Sequence, residues 1–153
     1  MIRREFIMIH HSATADSGTV SWGAIERYHR EIHGWRDIGY GYGVELVDDT
    51  YYAMVGRPED EIAAACKEAE MNARAVHVCL VGDFDKVPPS LRLLETAVRR
   101  VILPVMHRHG ITADRIIGHR DAGLMAGFDW QNGQYKSCPG RAFDLDTLRR
   151  LCR

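Results

Sequence analysis

Two histidines and a cysteine stand where a metal site would need them. The apolar run EFIMI (5–9) leads into His10 and His11, the run RIIG ends in His119, and QYKSCPG holds Cys138 in a Gly/Pro loop before the last helix. Two imidazoles and a thiolate are ligands of the kind that suits zinc. Three protein ligands leave a fourth position for water or substrate, which is the pattern of a catalytic site; a structural zinc is closed by four. The gaps between the three are long and match no short zinc motif. Two other readings stay open on residue types alone: Cys138 as an unmodified buried thiol, and Cys138 as a nucleophile paired with His119. Neither gives His10 a task. Residues two apart in an extended segment share a side, so Lys136 is expected beside Cys138, offering a cation to the open position. By the same alternation His11 should point away from His10.

Ligands must be held to a few tenths of an ångström, and strand ends on a rigid sheet can do this. EFIMI (5–9) reads as a buried strand and 12–20 as a loop. Ser21 can cap a helix over 22–33 with Trp22, Ile25 and Ile32 on one face and Gly34 as the stop. YGYGVELV (40–47) and TYYAMV (50–55) read as strands joined by a tight turn at Asp48-Asp49. Residues 59–71 read as loop or short helix, and AVHVCLVG (75–82) as a second buried strand. Ser90 caps a long helix to about His109, kinked at Pro104. RIIGH (115–119) reads as a short strand, 120–142 as a long loop, and a last helix begins near Asp144. Strands alternate with helices around one antiparallel hairpin, so the expected class is α/β: one domain over 1–153, a central mixed sheet flanked by helices.

With 153 residues the chain can bury a core without disulfides. Its net charge of −1 supplies no basic field for nucleic acid. No run of 18 apolar residues suggests a membrane span. The N-terminus MIRREFIMIHHS is a poor signal peptide, and Cys66, Cys79, Cys138 and Cys152 form no CxxC pair. A reduced, cytosolic chain is therefore expected, and a monomer.

The segments IHHSAT, GWRDIGYGYGV, VCLVGDF, GHRDAG and KSCPG follow one another in this order. Together they resemble the zinc-dependent N-acetylmuramoyl-L-alanine amidases of the superfamily of phage lysozymes and peptidoglycan-recognition proteins, over nearly the whole chain. The small phage amidases without a wall-binding module are the nearest likeness. The resemblance implies Zn²⁺ held by His10, His119 and Cys138, with Tyr40 and Lys136 as catalytic residues beside it. It favours His10 over His11, because SAT follows the second histidine here as it follows a cysteine in the relatives. It also implies peptidoglycan or a muropeptide as substrate, cut at the amide between N-acetylmuramic acid and L-alanine, as a phage or prophage endolysin would. The alternative within the same fold is a non-catalytic peptidoglycan-binding or regulatory module.

The chain departs from the family in two places. AAACKEAEMN (63–72) has Cys66 or Lys67 where relatives carry a histidine, and DAGLMAGFDWQNGQY separates His119 from Cys138. Arg120 and Asp121 are read as either orienters of His119 or an ordinary loop ion pair. His11, His29, His33, His77, His107 and His109 are read as structural or exposed, and Trp130 as a residue that could touch sugar.

Overall fold

A computed structural model describes residues 2–15 and 21–153. Its frame is a five-stranded sheet in the order β3-β2-β4-β1-β5. The strands are β1 (Phe6–His11), β2 (Tyr42–Val47), β3 (Thr50–Val55), β4 (Ala75–Leu80) and β5 (Ile116–Gly118). β1 runs parallel to β4 and β5, β2 runs parallel to β4, and only β3 is antiparallel, on β2. The mixed α/β sheet expected from the hairpin is present. The tight turn at Asp48-Asp49 is present too, with Asp48 at φ 52°, a conformation that Asp tolerates better than most residues.

β1 is longer than EFIMI suggests. Its six residues are all buried and include both histidines. The two faces of the strand then separate them. Ile7 and Ile9 join the main core with Val76, Val78 and Leu80 of β4, under α3 (Leu91–Ala97), α4 (Leu103–His109) and α6 (Leu145–Leu151). Met8 lies on the other face, in a second core with Met71, Ile117 and Ala122. Covering that face are α1 (Trp22–Glu31), α2 (Met71–Arg74) and α5 (His119–Met125). Burying apolar groups on both faces is what a central parallel strand requires.

Helix ends follow local chemistry. The Ser21 hydroxyl accepts from the Ala24 amide, and Ser90 does the same for Leu93. The Glu45 carboxylate, buried in β2, accepts from the Trp22 amide at 2.7 Å, satisfying another free donor at the positive end of α1. The loop expected over 12–20 is described only to residue 15; residues 16–20 lie outside the described residues.

Three expectations need correction. Ile32 is not on the inner face of the first helix: α1 stops at Glu31 and Ile32 is 67% exposed. The long helix before His109 does not simply kink at Pro104. A π-helical turn, Val98–Ile102, sits just before the proline, and the Leu103 amide reaches back to the Val98 carbonyl. A proline has no N–H to return and crowds the preceding turn, and widening that turn accommodates it. Finally, 120–142 is not all loop. His119 opens α5, capped by the Asp121 carboxylate, which accepts from the Gly118 amide at 2.7 Å.

Candidate active site

Parallel neighbours end at the same edge of a sheet, so β1 and β5 deliver His10 and the start of α5 side by side. The Nδ1 atoms of His10 and His119 face each other at 3.1 Å. The loop after α5 returns to bring Cys138 Sγ to 3.7 Å from His10 Nδ1. All three ligand-type atoms fall within 4.8 Å of one another. His10 and His119 are 1% and 5% exposed. Gly118 allows this closeness: a Cβ there would sit 2.7 Å from Pro139 Cδ, next to Cys138.

Burial lowers the basicity of both imidazoles. His10 is held well below its ordinary value, by burial first and then by His119, His77 and Lys136. His119 falls to about 3, by burial and then by Lys136 and His77. Both rings are neutral at pH 7, with lone pairs to offer. The Cys138 thiol is pushed up to about 12 by burial, although a hydrogen bond with the His11 backbone and the Lys136 charge pull it down. A cation among these three would reverse that cost and favour the thiolate.

The set fits zinc. Bonds of about 2.0–2.1 Å to nitrogen and 2.3 Å to sulfur, at tetrahedral angles, put ligand atoms roughly 3.3–3.6 Å apart. The observed 3.1 and 3.7 Å bracket that spacing. His119 Nε2 is the one buried side-chain nitrogen or oxygen without a hydrogen-bond partner among the described residues. With Nδ1 given to a cation, Nε2 would carry the ring proton.

Tyr40 and Lys136 line the same cleft of about 600 Å³ as His10, His119 and Cys138. The Tyr40 ring centroid is 5.0 Å from that of His10. Burial raises the Tyr40 hydroxyl well above its ordinary pKa, and the thiols of Cys79 and Cys138 add to this. Lys136 is exposed at the rim, its Nζ 5.9 Å from the Tyr135 ring centroid. His11 points the other way: its Nδ1 accepts from the Phe84 amide at 3.1 Å, and its ring stacks on Phe84. The five residues singled out in the sequence thus line one cleft, while the His11 ring is engaged by Phe84.

Other residues reach the site without having been singled out. His77, read above as structural or exposed, is fully buried and its Nδ1 is 2.8 Å from His10 Nε2. Cys79, beside His10 in the β1–β4 register, contacts the Tyr40 hydroxyl. Glu68 and Cys66 lie against His119 as a second possible ligand group. There Glu68 accepts from the Tyr135 hydroxyl at 2.7 Å, and burial and Glu68 push the Cys66 thiol to about 12. The signal for His77 and Cys79 was present in strand alternation, since both share one face of β4; the register against β1 was not readable. Arg120 and Asp121 do not orient the His119 ring, because Asp121 caps α5 and Arg120 donates to the Gly140 and Phe143 carbonyls. Trp130 lies under the Arg120 guanidinium at 4.5 Å.

Residues 2–141 match the model of the family described as N-acetylmuramoyl-L-alanine amidase. The chain belongs to this family. Among curated relatives, the endolysin of Enterobacteria phage T3 is 38% identical over 81 residues, 53% of this chain and 50% of that protein. Peptidoglycan-recognition protein LB of Drosophila melanogaster is 28% identical over 122 residues, 75% of this chain and 50% of that protein. The chain thus spans about half the length of the curated relatives it matches. Among solved structures, the amidase LysC of Clostridium intestinale superposes with a TM-score of 0.72 over 97% of this chain and 85% of that one, at 22% identity. That likeness is one of fold. It agrees with the single-sheet α/β architecture of this family member.

Proposed function

We propose that the protein is a zinc-dependent N-acetylmuramoyl-L-alanine amidase of endolysin type, made in a host cytoplasm and acting on peptidoglycan or its muropeptides. The observation that carries this reading is the convergence of His10, His119 and Cys138 at the floor of a cleft that also holds Tyr40 and Lys136. Membership of the amidase family and the likeness to phage endolysins support it. No helix among the described residues is long and apolar enough to cross a membrane.

In this reading His10, His119 and Cys138 hold the ion, and it supplies Lewis acidity, activating water near neutral pH and polarising the scissile carbonyl. The protein's own groups meet the charge that develops on the carbonyl oxygen. Burial keeps Cys79 and Tyr40 protonated. The Tyr40 O–H, beside His10 in the cleft, is therefore available to donate to the oxyanion. The Lys136 ammonium adds a second donor from the rim. Each preorganised donor of this kind stabilises the transition state by about 3–4 kcal/mol.

The cleft continues to both sides of the site, as an extended glycopeptide requires. One arm of about 330 Å³ runs past Trp35, Lys67 and Glu68, and another of about 410 Å³ past Thr14, Ile25 and Tyr28. Product analysis of digested sacculi tests the reaction. New L-alanine amino termini without new reducing sugar ends are expected. Reducing ends would indicate a glycosidase, and binding without products would indicate a non-catalytic module.

A further inference from the structure

We propose that His77 is a positioning residue that fixes the ring proton of His10 on Nε2, so that the Nδ1 lone pair faces His119 and Cys138. This rests on the zinc reading only for its consequence; the hydrogen-bond polarity stands on its own geometry.

The polarity follows from one end of a chain of contacts. The Met71 backbone carbonyl is 2.8 Å from His77 Nε2, and a carbonyl oxygen can only accept. Nε2 of His77 must therefore carry its hydrogen. A neutral imidazole has a single N–H, so His77 Nδ1 is a bare acceptor. His10 Nε2 lies 2.8 Å from that atom and must donate to it. His10 then has no hydrogen left for Nδ1, the atom 3.1 Å from His119 Nδ1 and 3.7 Å from Cys138 Sγ.

Both rings are 1% exposed, so water cannot supply a competing partner. Such burial also disfavours the charged form of either ring. The anchor is rigid: Met71 opens α2, is fully buried, and packs in the core with Met8 and Ala75. His77 and Met8 are partners in the β1–β4 register, so the two rings project from adjacent strands on one face. A carboxylate or backbone carbonyl most often performs this task behind a metal-binding histidine. Here a second histidine does it and passes on the polarity of a main-chain carbonyl two steps away. Because it carries no charge, it fixes the tautomer without adding negative charge to the buried pair.

Nitrogen-detected NMR of histidine-labelled, metal-free protein reads the tautomers directly. We expect His10 as the Nε2–H form and His77 likewise. In His77→Leu, His10 should become a mixture of tautomers. Zinc affinity, measured by chelator competition, should fall ~10–100-fold. His77→Asn, whose carbonyl oxygen can stand near the lost Nδ1 and accept, should recover most of the affinity; a role in packing alone would not be rescued this way. Finding His10 as the Nδ1–H form in the wild type would overturn the inference. So would unchanged zinc affinity in His77→Leu while His10→Ala loses zinc. If His10→Ala kept its zinc, the metal reading would fail instead, and the wild-type tautomer would still decide the role of His77.

Discussion

The Arg120 backbone amide donates to the Cys138 carbonyl at 2.8 Å, tying the first turn of α5 to the loop that carries the third candidate ligand. The Arg120 side chain tightens the same joint. Its two terminal nitrogens donate to the Gly140 and Phe143 carbonyls at 2.7 and 2.9 Å, and its plane covers Trp130. His119 and Cys138, distant in sequence space from His10, are therefore held as one unit relative to each other.

Arg120→Ala should cost about 1–3 kcal/mol, because two largely buried carbonyls lose charge-assisted partners. Arg120→Lys should restore little, since an ammonium cannot reproduce the planar fork. Urea unfolding measures the loss, and chelator competition should show weaker zinc binding with all three ligands intact. Equal stability of wild type and Arg120→Ala would remove this joint from the account.

Metal analysis of the purified protein should give one zinc per chain. His10→Ala, His119→Ala and Cys138→Ala should each lose most of it, whereas His11→Ala should keep it, because His11 faces Phe84. A variant of one of the three that retained stoichiometric zinc would show that residue to be dispensable as a ligand.

Lys136→Ala should keep zinc and substrate affinity yet lose ~10²–10³ in kcat, the range for one lost oxyanion donor. Tyr40→Phe should behave similarly, and Lys136→Met separates charge from bulk. Steady-state kinetics on a defined muropeptide distinguishes the roles. A raised KM with normal kcat would make Lys136 a binding residue and leave Tyr40 as the sole donor.

Glu59 supplies a pH-dependent part of the stability. Burial alone would raise its pKa, but hydrogen bonds from Arg108, Tyr42 and His109 outweigh this and bring it to about 2. A carboxylate depressed in the folded state stabilises above its unfolded value and loses that contribution as pH falls through its folded one. From an ordinary 4.5 to about 2, the contribution is roughly 3 kcal/mol at neutral pH. The Arg108 side chain that supplies the main bond is 47% exposed, so solvent screening reduces this figure. The stability difference between wild type and Glu59→Gln should be largest near pH 7 and shrink between pH 4.5 and 2. A difference independent of pH would indicate lost packing instead.

The chain's own pattern determined much of this protein. The apolar runs, the caps at Ser21 and Ser90 and the Asp48-Asp49 turn are local, so periodicity and cap chemistry placed the strands and most helices. The ordered motifs from IHHSAT to KSCPG carried the family, and the alternation of side chains within β1 separated His10 from His11. What only the tertiary structure decided is whatever depends on which strands pair and in what register. The order β4-β1-β5 sets His10 beside His119 and puts His77 behind His10. It also leaves the 63–72 segment against His119, where Cys66 and Glu68 meet Tyr135. The helical start at His119 escaped the sequence because its cap is an Asp three residues inside, bonded back to Gly118. Such contacts join residues far apart in the chain, and their free energy comes from burial on a shared sheet, which no local window of residues records.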